Sequence, residues 1–141
     1  MNPIFETSTS TNNVYGAIDN TTLGLPASLK PDPADKRLLF YTTTAYASKI
    51  LGFAAASTTP FPIYLPGEIT LIKAEAYARM PTPDLANALI ELNKIVTKQP
   101  AADPFGVGAG LPSLSGPFTQ AQLLEQIYKH RSIELFWVDY N

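Results

Sequence analysis

The stretch PGEITLIKAEAYARMPTPDLANALIELNKIVTK, residues 66–98, decides the fold. Its first part, residues 68–79, is rich in good helix formers. Pro66 stands just ahead, where its fixed φ suits a helix entry. Ile69, Ile72 and Ala76 recur on one face, and Leu71, Ala74 and Ala78 broaden it. Pro81-Thr82-Pro83 then breaks the helix, which places Thr82 as the next N-cap and Pro83 at the first helical position. Residues 84–98 carry the clearest amphipathic pattern: Leu85, Ala88, Leu89, Leu92, Ile95 and Val96 follow the 3–4 spacing. The gap between the two helices is short, so the reading is an antiparallel pair.

Working towards the C-terminus, residues 99–118 are a loop rich in Gly, Pro and Ala. Thr119-Gln120-Ala121-Gln122 has the form of a capping box and opens a third helix over 120–136. Leu124, Ile127, Tyr128 and Leu135 are expected to face the pair. Towards the N-terminus, residues 1–28 are polar and nearly uncharged. Lys30-Pro31-Asp32-Pro33-Ala34-Asp35 is a rigid turn whose Asp side chains can accept from nearby backbone amides. The aromatic and β-branched run over 37–43 suits one short strand. Residues 44–57 are Ala-rich, and their periodicity decides nothing. Residues 59–66 are extended, because each residue before a proline is pushed out of the α region. The fold class is therefore mainly α: a TPR-like antiparallel helix hairpin plus a third helix, with a long irregular N-terminal half. We expect one domain over 1–141, in which residues 1–66 wrap a helical part over 67–141.

The composition narrows the function classes. Ten Lys and Arg stand against twelve Asp and Glu, a net charge of −2, so the basic excess of a nucleic-acid binder is missing. There is no Cys, which excludes disulfides, thiolate metal sites and a Cys nucleophile within this sequence. Pro makes up 13 of 141 residues. That is about 9% against a typical ~5%, so much of the chain is expected to be loop. The N-terminus has neither the basic nor the apolar region of a signal peptide, and no run approaches the length of a membrane span. The apolar, aromatic run over 135–141 carries no helix stop signal, so the expectation is that more chain follows in a longer parent or that these rings dock on this domain.

The helical strings resemble a known family. Leu65-Pro66-Gly67-Glu68-Ile69-Thr70-Leu71-Ile72-Lys73-Ala74-Glu75-Ala76-Tyr77-Ala78 looks like the "R-x-A-E-x-x-L-x-x-A-E-A" helix of the SusD/RagB family. Ala86-Asn87-Ala88-Leu89-Ile90-Glu91-Leu92-Asn93-Lys94-Ile95 resembles its "A-x-x-x-I-N-x-V-R". The third helix, with His130-Arg131-Ser132-Ile133-Glu134-Leu135, resembles its "I-x-x-E-R-x-x-E-L". Asn2-Pro3-Ile4-Phe5-Glu6 is similar to its "N-x-E-x-I-F-E" step, and Asp35-Lys36-Arg37-Leu38 stands in the place of its "D-x-R" turn. The likeness runs in order along the whole chain. His130 departs from it, standing where the family usually has Glu. So do residues 137–141, which lack the Gly, Arg and Asp-Leu that commonly follow. The resemblance implies a mostly helical protein with TPR-like helix pairs. It also implies a lipid anchor on the outer face of a bacterial outer membrane, and capture of glycans, or in some members peptides, over a TonB-dependent transporter. The resemblance makes this chain a C-terminal portion of such a protein, so the anchoring Cys, the signal peptide and the N-terminal helices would lie outside this sequence.

The residue chemistry is poor in enzyme signals. His130 is the single His and has no nucleophile motif beside it; it is expected to be a surface or hydrogen-bonded helix residue. No HExxH or clustered His ligands exist, so neither a metal nor a cofactor is expected. Asp32 and Asp35 read as local turn caps in preference to a carboxylate pair. Glu75 is spaced to pair with Arg79 on its own helix, or to satisfy Arg131. Glycan binding needs flat rings against sugar C–H faces, with amides and hydroxyls beside them. The 1–66 half supplies Phe5, Tyr15, Tyr41, Tyr46, Phe53, Phe61 and Tyr64, although most such rings serve to pin loops. Tyr15, with Asn12 and Asn13 beside it, is the ligand-binding candidate, because its neighbours are polar. Trp137, the only Trp, reads as packing. A protein–protein scaffold docking on the transporter, with the ligand site elsewhere, is the rival reading.

Overall fold

A computed structural model describes residues 19, 21–42, 53, 58, 60 and 62–136. Among them the protein is mainly helical. Helix α1 is Arg37–Tyr41, α2 is Pro66–Ala78, α3 is Leu85–Val96 and α4 is Gln120–Glu134. Single 3-10 turns occur at Ala27–Leu29 and Pro100–Ala102.

Helices α2 and α3 form the expected antiparallel hairpin. Lys73 pairs with Glu91 at 3.0 Å, and one turn on the amide of Asp84 donates to the carbonyl of Tyr77. As one chain climbs, its partner descends. Helix α4 also runs antiparallel to α2. Gln120 Nε2 donates to the carbonyl of Ala78, Arg131 meets Glu75, and Glu134 lies against Gly67. The three helices enclose one core, built from Leu71, Ala74 and Ala78 of α2, Ala88, Leu92 and Ile95 of α3, and Leu123 and Ile127 of α4.

The buried face of α2 keeps the Leu71, Ala74 and Ala78 part of the expected one and leaves out Ile69, Ile72 and Ala76. Gly67, Leu71, Ala74 and Ala78 are buried, while Ile69 and Ile72 are 61% and 50% exposed. Two partner helices press on α2, and small residues allow the close approach that β-branched side chains would block. On α4 the inward set is Leu123, Ile127, His130, Ile133 and Glu134. Tyr128, expected to face the pair, is 57% exposed, and Leu124 is only half-buried.

Asp84, not Thr82, caps α3, with its carboxylate accepting from the Asn87 amide at 3.0 Å. The Asp84 amide is engaged in closing the turn after α2, so the helix begins two residues later than the proline pattern implied. The capping box at Thr119 and Gln122 is present in both directions, at 3.2 and 2.9 Å.

The short strand expected over 37–43 is a helix instead. Asp35 captures the Arg37 amide at 3.0 Å, and amide-to-carbonyl bonds run from Leu38 to Asp35, Phe40 to Lys36 and Thr42 to Leu38. Strand preference expresses packing in a sheet. No sheet forms among the described residues, so the local bonds prevail.

A second core ties α1 to the end of α4. It holds Leu23, Leu38, Tyr41, Phe53, Leu65, Val107, Ile133 and Leu135. Its rings meet edge to face: Phe40 on Tyr41 at 4.9 Å, Phe40 on Phe53 at 5.2 Å and Tyr41 on Phe136 at 5.1 Å. Tyr41 and Phe53 are thus loop pins and not sugar platforms. The loop after α3 closes this core by doubling back. Gly110 and Leu111 donate to the carbonyls of Lys98 and Val96, and Asn93 brackets the backbone of Leu114. Gly108 passes so close to the 98–100 backbone that an added Cβ would lie 2.6 Å from it.

Candidate functional site

Where α1 meets the end of α4, five charged side chains sit together inside the protein. Arg37 is fully buried at the start of α1. Its Nε and Nη2 donate to the two oxygens of Asp35 at 2.9 and 2.6 Å. Its Nη1 donates to Glu134 Oε2 at 3.0 Å. The other Glu134 oxygen accepts from Lys98, which also donates to Asp103 Oδ2 at 2.8 Å. Asp103 Oδ1 accepts from the amides of Phe105 and Val107. Two cations therefore meet three carboxylates in a knot tying together the 30–37 turn, the end of α3, the following loop and the end of α4. The Tyr41 hydroxyl donates to the Glu134 carbonyl at 2.9 Å and completes it.

His130 borders the knot and is 3% exposed, so it is a satisfied interior residue and not a surface one. Its Nδ1 lies 2.9 Å from Arg37 Nη2, and a guanidinium can only donate, so this nitrogen accepts. Burial and the adjacent Arg37 charge push its pKa down to about 3, which keeps the ring neutral. Burial also opposes the Arg37 charge, but Asp35 and Glu134 outweigh it and raise its pKa. Burial, together with the nearby Glu134 charge, pushes the Tyr41 phenol well above its ordinary range. Among the described residues, no Ser or Thr hydroxyl hydrogen-bonds to these groups. The knot is built to hold backbone segments together.

The carboxylates are fully occupied by these cations and amides. Among the described residues no group of three or more His, Asp or Glu is placed to hold a metal ion. Asp32 and Asp35 do not form a catalytic pair: Asp32 Oδ1 accepts from the Ala34 amide at 2.8 Å, while Asp35 faces Arg37. Glu75 serves both cations expected for it, Arg79 at 2.6 Å and Arg131 at 2.5 Å. Burial alone would raise its pKa, but the bonds from Arg131 and Arg79 bring it below the ordinary carboxylate value.

A cleft of about 400 Å³ opens on the solvent side of the Asp35 turn. Leu38, Leu39 and Thr42 of the α1 segment form one wall, with Pro33 and Ala34 beside them. Thr21, Lys30, Asp35 and Lys36 complete the lining. A smaller apolar groove of about 190 Å³ lies between Leu85, Leu89, Pro117, Phe118 and Leu123.

Tyr15, Asn12, Asn13 and Trp137 lie outside the described residues. Lys98 and Asp103 went unnoticed in the sequence. Asp103-Pro104-Phe105-Gly106 carries a readable turn signal, but nothing local ties it to Glu134. Among the described residues no helix is long and apolar enough to cross a membrane. No family model, curated protein or solved structure matches the chain.

Proposed function

We propose that this chain belongs to a cell-surface glycan-capture protein, lipid-anchored in the outer membrane and working with a TonB-dependent transporter, and that it contributes binding and no catalysis. One observation supports the reading above the others. Residues from two strings that carry the SusD/RagB resemblance, Asp35 and Arg37 in one and Glu134 in the other, meet in a single buried ion cluster although 97 positions separate Arg37 from Glu134. Chance helix-like strings have no reason to share such a partner. The test is a titration of neutral and acidic oligosaccharides and short peptides against the whole chain, followed by heat and tryptophan fluorescence. Saturable binding of an oligosaccharide is the expected outcome. Binding of no oligosaccharide at millimolar concentration would overturn glycan capture by this chain.

The scaffold reading has its own support in the outward apolar residues Ile69 and Ile72 of α2. Under that reading purified transporter binds the chain, and Ile69→Asp with Ile72→Asp abolishes the binding while sugars leave it unchanged.

A further inference from the structure

We infer that the cleft beside α1 binds the carboxylate of an acidic sugar residue. This inference rests on the glycan reading above and gives it a substrate class. The volume, about 400 Å³, falls within the range of small-molecule sites. Its lining carries two lysines, Lys30 and Lys36, and a single carboxylate, Asp35. Asp35 is not free to cancel them, because both its oxygens are held by Arg37 and its side chain is wholly buried. Lys36 donates to Gln99 Oε1 at 2.6 Å, a neutral acceptor that leaves its charge uncompensated. Two acidic residues nearby in the chain, Asp19 and Asp32, keep their charges but are not part of the lining. Asp19 accepts from the amides of Thr21 and Thr22, and Asp32 from that of Ala34.

The hydroxyls narrow the ligand further. Thr42 Oγ1 donates its proton to the Leu38 carbonyl at 2.7 Å, and Thr21 Oγ1 donates to Asp19 at 2.6 Å. What both still offer is an acceptor oxygen, which suits the O–H groups of a sugar. Leu38, Leu39 and Pro33 supply an apolar wall for the C–H face of a ring. Lysine charge in the lining for a carboxylate, acceptors for hydroxyls and a wall for a pyranose face together describe a uronate. The same carboxylate could arrive on a peptide C-terminus, and the experiment separates the two.

The experiment titrates the whole chain with digalacturonic acid, its methyl ester, a neutral digalactoside, and a tripeptide with a free or amidated C-terminus. Lys30→Gln and Leu39→Asp are the variants, each checked for an unchanged melting temperature. The expected result is that digalacturonic acid binds about tenfold tighter than its ester, that Lys30→Gln loses about tenfold, and that added salt weakens binding. Equal binding of acid and ester would overturn the inference, as would acid binding that neither variant weakens. Neutral digalactoside binding untouched by both variants would remove the cleft from the account and leave glycan capture standing. Binding of the free-acid tripeptide alone would defeat both the uronate assignment and the glycan reading.

Discussion

Gly67 and Glu134 share a space that admits no further atom. A Cβ on Gly67 would press on the Glu134 carboxylate and lie 3.0 Å from its Cγ and Cδ. Glu134 cannot swing aside, since Arg37 and Lys98 hold one oxygen each. Alanine is the better helix former by about 1 kcal/mol. Gly67→Ala is nevertheless expected to destabilise by about 1–3 kcal/mol in urea denaturation, because overpacking outweighs propensity. Arg37→Met is expected to cost about 3–5 kcal/mol, since it leaves the buried Asp35 without a cation and Glu134 with Lys98 alone. Lys94→Ala, which removes only an exposed partner of Glu91, is expected to cost no more than about 1 kcal/mol. The sequence showed Asp35 as a turn residue and Glu75 as an ion-pair partner of Arg79 or Arg131, because those bonds join neighbours in the chain or charges at helical spacing. It did not show that Arg37 and Lys98 both face Glu134, because a buried long-range pair leaves no periodic trace.

Among the elements, those with a strong period or a capping signal were legible, and those decided by their neighbours were not. Helix α3 announced itself through Leu85, Ala88, Leu92 and Ile95, and α4 through Thr119 and Gln122. Helix α1 could not be told from a strand, since five residues are too few to show a period and the deciding bonds come from Asp35. Helix α2 is apolar nearly all round, so its sequence could not say which face turns inward. The small residues Gly67, Ala74 and Ala78 settle it. The corrected start of α3 has a direct check. Asp84→Ala is expected to lower stability by about 1 kcal/mol, and Thr82→Ala to stay within about 0.5 kcal/mol, compared by thermal melts. Equal losses would put the cap back on Thr82.

At the scale of the whole molecule, acid should act through His130 and the ion-paired carboxylates in the same direction. The His130 pKa falls from its ordinary 6.5 to about 3 on folding. Between those values the unfolded chain holds one proton more, so stability declines as pH drops, by about 1.4 kcal/mol per unit. Above pH 6.5 this contribution is constant. Glu91, whose pKa is lowered by its bonds from Lys94 and Lys73, contributes above the ordinary carboxylate range and loses that contribution as pH falls through its depressed value. Urea midpoints measured from pH 7 to 4 are expected to fall, with a shallower slope in His130→Gln. An unchanged slope would mean that His130 takes its proton in the folded protein too. The antiparallel hairpin and the third helix followed from local pattern. The second core did not, because it assembles Leu23, Val107 and Ile133 from positions far apart in the chain.

That separation has a kinetic consequence. The α2–α3–α4 core closes short loops, whereas the knot must bring Arg37 to Glu134 across most of the chain, and such contacts form late in folding. Weakening the knot should therefore leave the refolding rate almost untouched and speed the reverse reaction. Stopped-flow traces of Arg37→Met would show the right-hand arm of the chevron raised and the left-hand arm in place. Among the described residues the α1 segment would then let go first, and proteases would cut there before reaching α2, α3 and α4.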